Sequence, residues 1–398
     1  MPKPRVLFLS HSASRNGASI VLLELMRWLK GRVDWEIEII VDGRGPLLDD
    51  FRAIGRTTVW RRPSVRLAAL PMRWPAALMA RAERWLLRVL FARRRFNVVY
   101  ANTAATWHLA SAVKGTSGLL LWHVHELTYA LRLTLATERA RDEFRRADRF
   151  VAVGEAVRQG LEKEYGIPAG RISLVHAFVP VVPLTDPDKA NLRHQVLVEL
   201  GWPDDAVVIG GCGTLGWRKG TDLFLQIART IVERHVRDVR FLWVGGSAGE
   251  HVTIEFDHDT EALGLEQMCA RVPTTADVVK YYAAMDVFAM TSREDPFPLV
   301  MLEAGAQRIP TVCFAGSGGG PEFVGCDAGL VAPYLDVQAF ADHLLRLIDD
   351  SVLRGKMGDA AACKVRQCYS LDNQAPKLLQ LLKEATSTGQ SDLEFDAT

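Results

Sequence analysis

The sequence lacks the features that mark membrane-spanning, nucleic-acid-binding and disulfide-stabilised proteins. No apolar run approaches the roughly 20 residues that a helix needs to cross a bilayer. The 48 basic and 47 acidic residues give a formal net charge of +1, so charge offers no argument for a nucleic-acid partner. The six cysteines are scattered without metal-type spacing, which is typical of a reduced cytosolic protein. We therefore expect a cytoplasmic protein, soluble or peripheral on the inner face of a membrane, that binds no nucleic acid.

Short apolar runs alternate with helical patterns along most of the chain. The first run, in MPKPRVLFLS, is only about four residues long, whereas a signal peptide needs about seven to fifteen, so we predict a strand there. The predicted strands are Val6–Ser10, Glu36–Val41, Val98–Ala101, Gly118–His125, Arg149–Val153, Ile172–His176, Val207–Gly211, Arg240–Val244, Val287–Thr291 and Thr311–Phe314. The predicted helices include Ile20–Leu29, Asp222–His235, Ala276–Met285 and Val337–Ile348. This alternation favours an α/β protein with two doubly wound, Rossmann-like domains.

The chain of 398 residues is long enough for two domains with separate cores. A proline-rich, polar stretch, PVVPLTDPDKANLR, is predicted to be the linker between them. We expect a first domain over 1–180, a linker over 181–204, a second domain over 205–370, a helix over 371–386 that returns to the first domain, and a disordered tail over 387–398. Ligands of doubly wound sheets bind outside the carboxyl ends of the strands, so two facing domains predict a site in a central cleft.

A glycine-rich segment, Gly211–Gly216, follows a predicted strand and has the spacing of the dinucleotide fingerprint. That fingerprint opens a helix directly and is followed by an acid at the end of the next strand. Here the loop continues through Arg218 and Lys219, and the next strand ends without an acid, so a nicotinamide cofactor is the weaker interpretation. A glycine loop with two cations suits a diphosphate, and Gly213, Arg218 and Lys219 are its predicted contacts. The alternative is a solvated basic turn.

The segment REDPFPLVMLEAGAQRIP places Asp295 and Glu303 around the start of an apolar helix. Asp295 lies in the loop, and Glu303 lies on the first or second turn of a helix that begins near Pro298. Carboxylates accept hydrogen bonds from the paired hydroxyls of sugars and riboses, while first-turn N–H groups suit a phosphate oxygen. We predict that the two acids hold the ends of a nucleotide sugar, although Glu303 has an alternative structural interpretation as a backbone cap. The predicted phosphate donors are the N–H groups of Phe297, Leu299 and Val300.

The acidic segment resembles a motif of a known enzyme family. DPFPLVMLEA is similar to the Glu-x7-Glu motif of the retaining family-4 glycosyltransferases, also called glycosyl transferases group 1. Asp295 stands in the place of the first glutamate and Glu303 in the place of the second. The resemblance implies the GT-B fold, in which two Rossmann-like domains face a central cleft. It also implies that Glu303 binds the nucleotide ribose, that Asp295 binds hydroxyls of the donor sugar, and that Lys219 binds the diphosphate.

Three further segments extend the resemblance over nearly the whole chain. RNGAS, which contains Gly17, resembles the glycine loop after the first strand, and GTLGWRKG resembles the family's GRLxxxKG loop. SGGGPEFV resembles the glycine-rich turn and short helix that follow the motif. Thr214 stands where the family commonly has a diphosphate-binding arginine, so we expect Arg218 to substitute for it. Pro296 and Pro298 replace glycines and remove two N–H donors.

Two histidines in LLLWHVHEL end a predicted strand and alternate onto one face. The resemblance implies that one histidine in this region faces the reacting sugar. His125, nearest the carboxyl end of the strand, is the predicted one, whereas His123 has the alternative interpretation of a core residue. A metal site at this pair lacks a third ligand nearby, and the resemblance implies a metal-independent enzyme, so we expect no metal and no cofactor. His11, after the first strand, is a further candidate on the acceptor side.

The segment 61–95 contains ten arginines and a single acid, Glu83. Arg81, Arg84 and Arg88 recur at helical spacing, with Trp85 between them. This composition is typical of an amphipathic helix on an anionic membrane surface. The alternative is a helix of the first domain with a solvated basic face.

The leading hypothesis is a glycosyltransferase that moves a sugar, with retention, from a nucleotide-sugar donor to a glycan or lipid-linked acceptor of polysaccharide or glycoconjugate biosynthesis. Alternatives within the same fold are a sugar-nucleotide epimerase and a phosphorylase. A different class would be a non-catalytic membrane-surface partner built on a decayed transferase fold. Lys219, Glu303 and His125 argue against decay, whereas Thr214 and Asp295 are the departures that favour it.

Overall fold

The computed structural model describes residues 3–60, 76–91, 94–234, 238–247 and 249–395. The chain divides into two units, of which the first contains Met1–Ala177 and Leu371–Thr398 and the second contains Phe178–Ser370. Each unit is built on one parallel sheet with helices between its strands, as an alternating sequence requires. The prediction of two doubly wound α/β domains is confirmed.

The sheet of the first unit has seven strands among the described residues, and all of its strand pairs are parallel. The strands are β1 (Arg5–Ser10), β2 (Glu36–Asp42), β3 (Arg56–Trp60), β4 (Phe96–Asn102), β5 (Ser117–Val124), β6 (Arg149–Ala152) and β7 (Ile172–Leu174). Their order is β3-β2-β1-β4-β5-β6-β7. The order reverses between β1 and β4, which is where doubly wound sheets bind ligands at their carboxyl edge.

The helices of the first unit lie mainly between these strands. They are α1 (Gly17–Leu29), α2 (Leu48–Ile54), α3 (Ala76–Phe91), α4 (Trp107–Val113), α5 (Thr128–Thr134), α6 (Glu138–Arg145), α7 (Glu155–Tyr165) and the last helix of the described chain, α16 (Leu371–Phe395). β4 is buried at every position, which is typical of a central strand covered on both faces.

The sheet of the second unit has six parallel strands among the described residues, in the order β10-β9-β8-β11-β12-β13. The strands are β8 (Val207–Cys212), β9 (Val239–Val244), β10 (Cys269–Val272), β11 (Val287–Met290), β12 (Thr311–Phe314) and β13 (Gly329–Ala332). The helices are α8 (Asp186–Leu200), α9 (Thr221–Arg234), α10 (His251–Ala262), α11 (Val278–Ala284), α12 (Leu299–Ala306), α13 (Gly320–Val324), α14 (Val337–Asp349) and α15 (Ser351–Cys368). Its order reverses between β8 and β11, so the segments that follow these two strands meet at the ligand-binding edge.

Three strands of the structure have no counterpart among the predicted ones. They are β3, β10 and β13, and each lies at an edge of its sheet. Much of each strand is only partly buried, so its sequence carries a weaker apolar signal than a central strand does.

The predicted linker over 181–204 is wrong, because most of it forms α8 within the second unit. The Thr185 hydroxyl caps the helix by accepting from the Asp188 N–H at 3.3 Å, and Pro187 occupies the first turn, where a missing N–H costs nothing. Arg193 donates to the carbonyl oxygens of Ala284 and Ala206, both at 2.6 Å. A proline that starts a helix was therefore misinterpreted as a proline in a linker.

The predicted disordered tail also differs from the structure, since α16 continues to Phe395. This helix clusters with the first unit. The indole Nε1 of Trp28 donates to Asp372 at 3.2 Å. Among its described side chains, the buried apolar ones are Ala375, Leu378, Leu382 and Ala385.

Candidate functional site

The loop after β8 approaches its neighbours so closely that glycine is required at two positions. Gly213 has a φ of 140°, and a Cβ there would lie 3.1 Å from Cε of Lys219. Gly220 has a φ of 65°, and a Cβ there would lie 2.1 Å from the carbonyl oxygen of Thr291. Both backbones occupy the region that favours glycine. The loop therefore lays the Lys219 side chain against Gly213 and packs against the segment that follows β11.

The two cations of this loop meet Asp295, which lies 76 residues further along the chain than Lys219. The Lys219 Nζ donates to Asp295 Oδ2 at 2.5 Å, and Arg218 Nη1 lies 3.6 Å from the same oxygen. The side chains of Lys219 and Asp295 are only 13% and 8% exposed. The sequence predicted all three residues for the site, and the structure brings them together.

Backbone and side-chain bonds fix the two loops to one another. The Arg293 N–H donates to the Arg218 carbonyl at 2.9 Å, and the Thr291 hydroxyl donates to the Lys219 carbonyl at 3.1 Å. The Arg293 guanidinium binds both carboxylate oxygens of Asp222, at 2.8 and 2.7 Å. Such a bidentate pair has a defined geometry, so it sets the spacing between the loops.

The glycine-rich turn after β12 holds the backbone of Asp295. The Asp295 N–H donates to the Ser317 carbonyl at 2.7 Å, and the Asp295 carbonyl accepts from the Gly319 N–H at 3.0 Å. A Cβ at Gly319 would lie 2.6 Å from the carbonyl oxygen of Pro296. Because Gly319 has no side chain, the SGGG turn can pack closely against the loop that contains Asp295.

Glu303 lies on the second turn of α12, and its Oε2 accepts a hydrogen bond from the Tyr282 hydroxyl at 2.9 Å. Burial raises the pKa of Glu303, while the Tyr282 bond and the positive charge of Lys219 oppose that rise. Cys212 lies beside this pair, and burial raises the pKa of its thiol to about 12, so it is a neutral neighbour. Tyr282 was missed by the sequence analysis, although it lies in α11 among apolar residues where a hydroxyl needs a partner.

The start of α12 also belongs to this edge of the sheet. Pro298 precedes the helix and provides no side-chain cap for the first-turn N–H groups of Leu299 and Val300. The Phe297 side chain is buried and packs against Tyr369, with ring centroids 5.2 Å apart. A contact of Phe297 with a ligand would therefore be made by its backbone.

In the first unit, three polar side chains lie side by side at the carboxyl edge of the sheet. Ser10, Asn102 and His123 share one register on β1, β4 and β5. His125 follows β5, and its Nε2 lies 3.0 Å from Asn102 Oδ1. The Asn102 Nδ2 donates to the carbonyl oxygen of Ala18 at 3.0 Å. The sequence predicted His125 for the site but missed Asn102.

The histidines of this edge are held in their neutral form. Burial lowers the pKa of His125 well below its usual value, and the nearby His123 and His11 lower it further. Burial also lowers the pKa of His123 to about 3, and its Nδ1 lies 2.5 Å from the Tyr100 hydroxyl. His123 is 1% exposed, which agrees with its interpretation as a core residue. Burial lowers the pKa of His11, opposed by Asp42, and its Nε2 lies 3.4 Å from Asn16 Nδ2.

Two further residues complete this edge. Glu126 accepts hydrogen bonds from the backbone N–H groups of Ala104 and His125, both at 3.0 Å. Burial raises the pKa of Glu126 to about 7, although these backbone bonds lower it in part. Gly17 is the first residue of α1, which Asn16 caps by accepting from the Ser19 N–H at 3.0 Å. Glu126 was missed, although an acid directly after a buried strand is a recognisable signal.

The arginine-rich segment is described only in part. Residues 61–75 and 92–93, and the side chains of Arg81 and Arg84, lie outside the described residues. α3 buries Leu87 and Phe91 at 1% and 2% exposure. The side chains of Trp85, Leu86, Arg88, Val89 and Leu90 of the same helix are exposed.

The described part of the chain lacks two features of other protein classes. No group of three or more histidine, cysteine, aspartate or glutamate side chains within the described ranges could hold a metal ion. In the same part of the chain, no helix combines the length and apolar character that crossing a membrane requires.

Known structures share this architecture. Anabaena HepE in complex with UDP and glucose superimposes with a TM-score of 0.78 and 20% sequence identity, covering 96% of this chain and 100% of that one. A structure of WaaG, a glycosyltransferase involved in lipopolysaccharide biosynthesis, aligns with a TM-score of 0.70 and 14% identity, covering 94% of this chain and 99% of that one. The two parallel-sheet domains therefore have the GT-B fold.

Sequence comparisons give the family. The model of Glycosyltransferase Family 4 matches residues 15–181, and the model of Glycosyl transferases group 1 matches residues 206–350. The D-inositol 3-phosphate glycosyltransferase of Corynebacterium urealyticum is 30% identical over 244 residues, which are 60% of this chain and 57% of that protein. The chain belongs to the family-4 glycosyltransferases, as the resemblance of its motifs predicted.

A second relative is named for a different substrate. The GDP-mannose-dependent monoacylated alpha-(1-6)-phosphatidylinositol monomannoside mannosyltransferase of Corynebacterium glutamicum is 29% identical over 213 residues, which are 50% of this chain and 52% of that protein. The matched part of the chain thus spans little more than half the length of these curated relatives.

Proposed function

We propose that this protein transfers a sugar, with retention of configuration, from a nucleoside diphosphate sugar to an acceptor. The observation that carries the proposal is the meeting of Lys219, Arg218, Asp295 and Glu303 at one edge of the second unit's sheet. Support also comes from the names of similar proteins, one described with UDP and glucose and another as GDP-mannose-dependent.

In this proposal the second unit binds the donor. Lys219 and Arg218 bind the diphosphate, which carries the negative charge that develops on the leaving group. Asp295 binds hydroxyls of the sugar, and Glu303 binds the ribose. The Lys219–Asp295 ion pair balances two partly buried charges, and the diphosphate then provides Lys219 with a second anionic partner.

The rate enhancement is proposed to be mainly electrostatic. As the bond between the sugar and the diphosphate breaks, positive charge develops on the sugar and negative charge on the phosphate oxygens. In this proposal the cations and the first-turn N–H groups of α12 bind the phosphate oxygens, and because the fold holds them in place they stabilise that charge without reorganising. The proposal needs no metal ion and no cofactor. His125, on the first unit, is proposed to contact the reacting sugar.

The acceptor is proposed to be a glycan or a lipid-linked glycan reached from an anionic membrane surface. The support is the exposed side of α3, where Trp85 is 67% exposed and lies among arginines in the sequence. Tryptophan and arginine on one amphipathic helix suit the boundary between headgroups and acyl chains. The protein would then work as a peripheral enzyme in the cytoplasm.

Replacement of Lys219 by alanine tests the proposed activity. Loss of this charge-assisted contact should remove about 2–4 kcal/mol of transition-state stabilisation, measured as kcat/KM of the purified protein. Lys280→Ala is the matched control, because Lys280 forms a 2.5 Å ion pair with Glu199 on a more exposed surface of the same unit. Activity of Lys219→Ala within threefold of the control would contradict the assignment.

The donor class is tested by binding. Thermal shifts measured with UDP-, GDP- and ADP-sugars should show stabilisation by one base over the others, since bound ligand stabilises the folded state by mass action. Turnover is then measured with the donor selected in this way. No stabilisation by any of the three would overturn the proposal of a nucleotide-sugar donor.

A further inference from the structure

Both ends of the Asn102 side chain are hydrogen-bonded at the carboxyl edge of the first unit. Asn102 is fully buried at the end of β4. Its Nδ2 donates to the carbonyl oxygen of Ala18 at 3.0 Å, and its Oδ1 lies 3.0 Å from Nε2 of His125. The amide thus links the first turn of α1 to the residue that follows β5.

This arrangement determines which nitrogen of His125 carries the proton. A backbone carbonyl only accepts, so Ala18 requires the NH₂ group of Asn102 on its side and leaves the amide oxygen facing His125. The amide oxygen also only accepts, so Nε2 of His125 must be the donor. In a neutral imidazole the other nitrogen, Nδ1, then keeps its lone pair.

The groups around His125 favour a neutral ring. His123 lies on the same side of β5, with ring centroids 4.1 Å apart, and it contacts the Tyr100 hydroxyl. Burial is the main cause of the lowered pKa of His125, and the nearby His123 and His11 lower it further. The Glu126 carboxylate accepts a hydrogen bond from the backbone N–H of His125. Glu126 is the acid among these neighbours, and burial keeps its pKa near 7, so it does little to stabilise an imidazolium ring.

We propose that Asn102 is a positioning residue that holds His125 as the Nε2–H tautomer and so leaves Nδ1 free to accept a hydrogen bond from a hydroxyl of the sugar. The identity of the hydroxyl rests on the proposed function, whereas the tautomer does not. A histidine in the opposite tautomer would offer the sugar a donor instead, and its Nε2 lone pair would face the Asn102 oxygen without a proton between them.

The first test measures the tautomer directly. Ring nitrogen–proton correlation spectra of the full-length protein labelled with ¹⁵N-histidine distinguish Nε2–H from Nδ1–H, and His125→Gln assigns the signal. We expect the wild-type signal of His125 to be Nε2–H and to change in Asn102→Ala. An Nδ1–H signal in the wild type would overturn the proposal, and so would an unchanged signal in the variant.

The second test uses a matched pair of variants on one strand. Asn97 lies near the start of β4, and its Oδ1 accepts from the Arg5 N–H at 2.8 Å. Arg5 begins β1, so this bond lies at the opposite end of the strands from His125. Asn102→Ala should lower kcat on the order of 10-fold to 100-fold, because a group that loses its orientation by a small distance loses most of its effect. Asn97→Ala should keep kcat, and both should bind the free nucleoside diphosphate equally. Equal kcat values for the two variants, with only a lower Tm for Asn102→Ala, would show a purely structural role.

The third test exchanges the amide for a carboxylate. In Asn102→Asp the negative charge stabilises the imidazolium form, so the pKa of His125 rises. Below that raised pKa, Nδ1 carries a proton and cannot accept. The kcat of this variant should therefore increase as pH rises through an ionisation that the wild type lacks. A pH profile parallel to that of the wild type would contradict the role of the Nδ1 lone pair. If no nucleotide sugar is turned over by the wild type, the proposed function fails, while the spectra still decide the role of Asn102.

Discussion

At the scale of single residues, the side chains of the second unit's site hold each other in place through an ion pair and a hydrogen bond. Lys219 and Asp295 form an ion pair that is almost shielded from water. Removing one partner of such a pair leaves an uncompensated charge, so activity and stability change together. Glu303 is different, because its carboxylate accepts a hydrogen bond from a neutral group, the hydroxyl of Tyr282, at 2.9 Å. Its role can therefore be separated from its contribution to folding.

Replacement of Glu303 by glutamine should weaken nucleotide binding and leave the fold unchanged. A hydrogen bond to a charged group contributes about 1.5–3 kcal/mol, so the Kd for the free nucleoside diphosphate should rise on the order of 10-fold or more. Tyr282→Phe should raise it less, since Glu303 loses only its orienting donor. Tyr281→Phe is the control, because that hydroxyl binds Glu199 at 3.3 Å instead. Calorimetric titration gives Kd, and a large drop in Tm with an unaltered Kd would favour a structural role.

Glu126 should make stability depend on pH. Its pKa in the folded protein, about 7, lies above the ordinary 4.5, so the folded state binds the proton more tightly than the unfolded state. The stability it contributes is present below pH 4.5 and is lost as pH rises towards 7. The shift corresponds to no more than about 3 kcal/mol, since each pKa unit is about 1.4 kcal/mol.

The measurement compares wild type with Glu126→Gln, which does not titrate. The Tm of the variant relative to wild type should increase between pH 4.5 and pH 8. Glu138→Gln changes an exposed carboxylate in the same unit and serves as the control. A difference in Tm that stays constant with pH would show that Glu126 is not the group responsible.

The sequence predicted the residues that lie in motifs and missed those that act across the fold. Asp295, Glu303 and Lys219 were recognisable because their spacing on a loop and a helix start has a chemical meaning. Asn102 and Tyr282 lie inside apolar runs, and their partners are 23 and 21 residues away in sequence. Pairing of β4 with β5 brings Asn102 to His125, and α11 and α12 bring Tyr282 to Glu303. A single sequence does not reveal which strands and helices are neighbours.

At the scale of elements, α3 combines buried apolar side chains with exposed apolar ones. Leu87 and Phe91 anchor it to the first unit, while four large apolar side chains of the same helix are exposed. An exposed apolar patch of this kind is typical of a binding surface. The element was predicted from the arginine spacing and the tryptophan, whereas α8 was missed because its proline lies at a helix start.

This helix should bind vesicles that contain anionic lipid. Each arginine near such a surface contributes about 1 kcal/mol, and the binding should weaken at 1 M salt, where the Debye length is about 3 Å. Reversal of Arg81, Arg84 and Arg88 to glutamate should abolish co-sedimentation, and Trp85→Ser should weaken it. Nucleoside diphosphate binding should be unchanged in each.

Two controls make this result interpretable. Lys356→Glu reverses an exposed cation on α15 of the second unit and should leave sedimentation unchanged. Vesicles of neutral lipid should not retain the wild type at low salt. If the wild type stays in the supernatant with anionic vesicles, α3 is a solvated helix and the acceptor is not reached from the membrane.

At the scale of the whole molecule, sequence order and structural membership differ at the end of the chain. Residues 371–398 follow the second unit in sequence but cluster with the first. The sequence predicted a helix that returns to the first domain, but its length was underestimated. Leu378 and Leu382 show the helical period, whereas the sequence TSTGQSD that follows has few apolar residues to continue it.

The last helix should therefore stabilise the first unit without affecting the donor site. Leu378 and Leu382 are fully buried, so replacing each by alanine removes apolar contacts and leaves a cavity, at about 2–5 kcal/mol per site. Thermal unfolding of Leu382→Ala should begin at a lower temperature than that of Gln380→Ala, which changes an exposed position of the same helix. The Kd for the nucleoside diphosphate at 20 °C should equal that of the wild type, because Lys219 and Glu303 belong to the other unit. If Leu382→Ala raises the Kd for the nucleoside diphosphate as well as lowering the unfolding temperature, donor binding depends on the first unit as well.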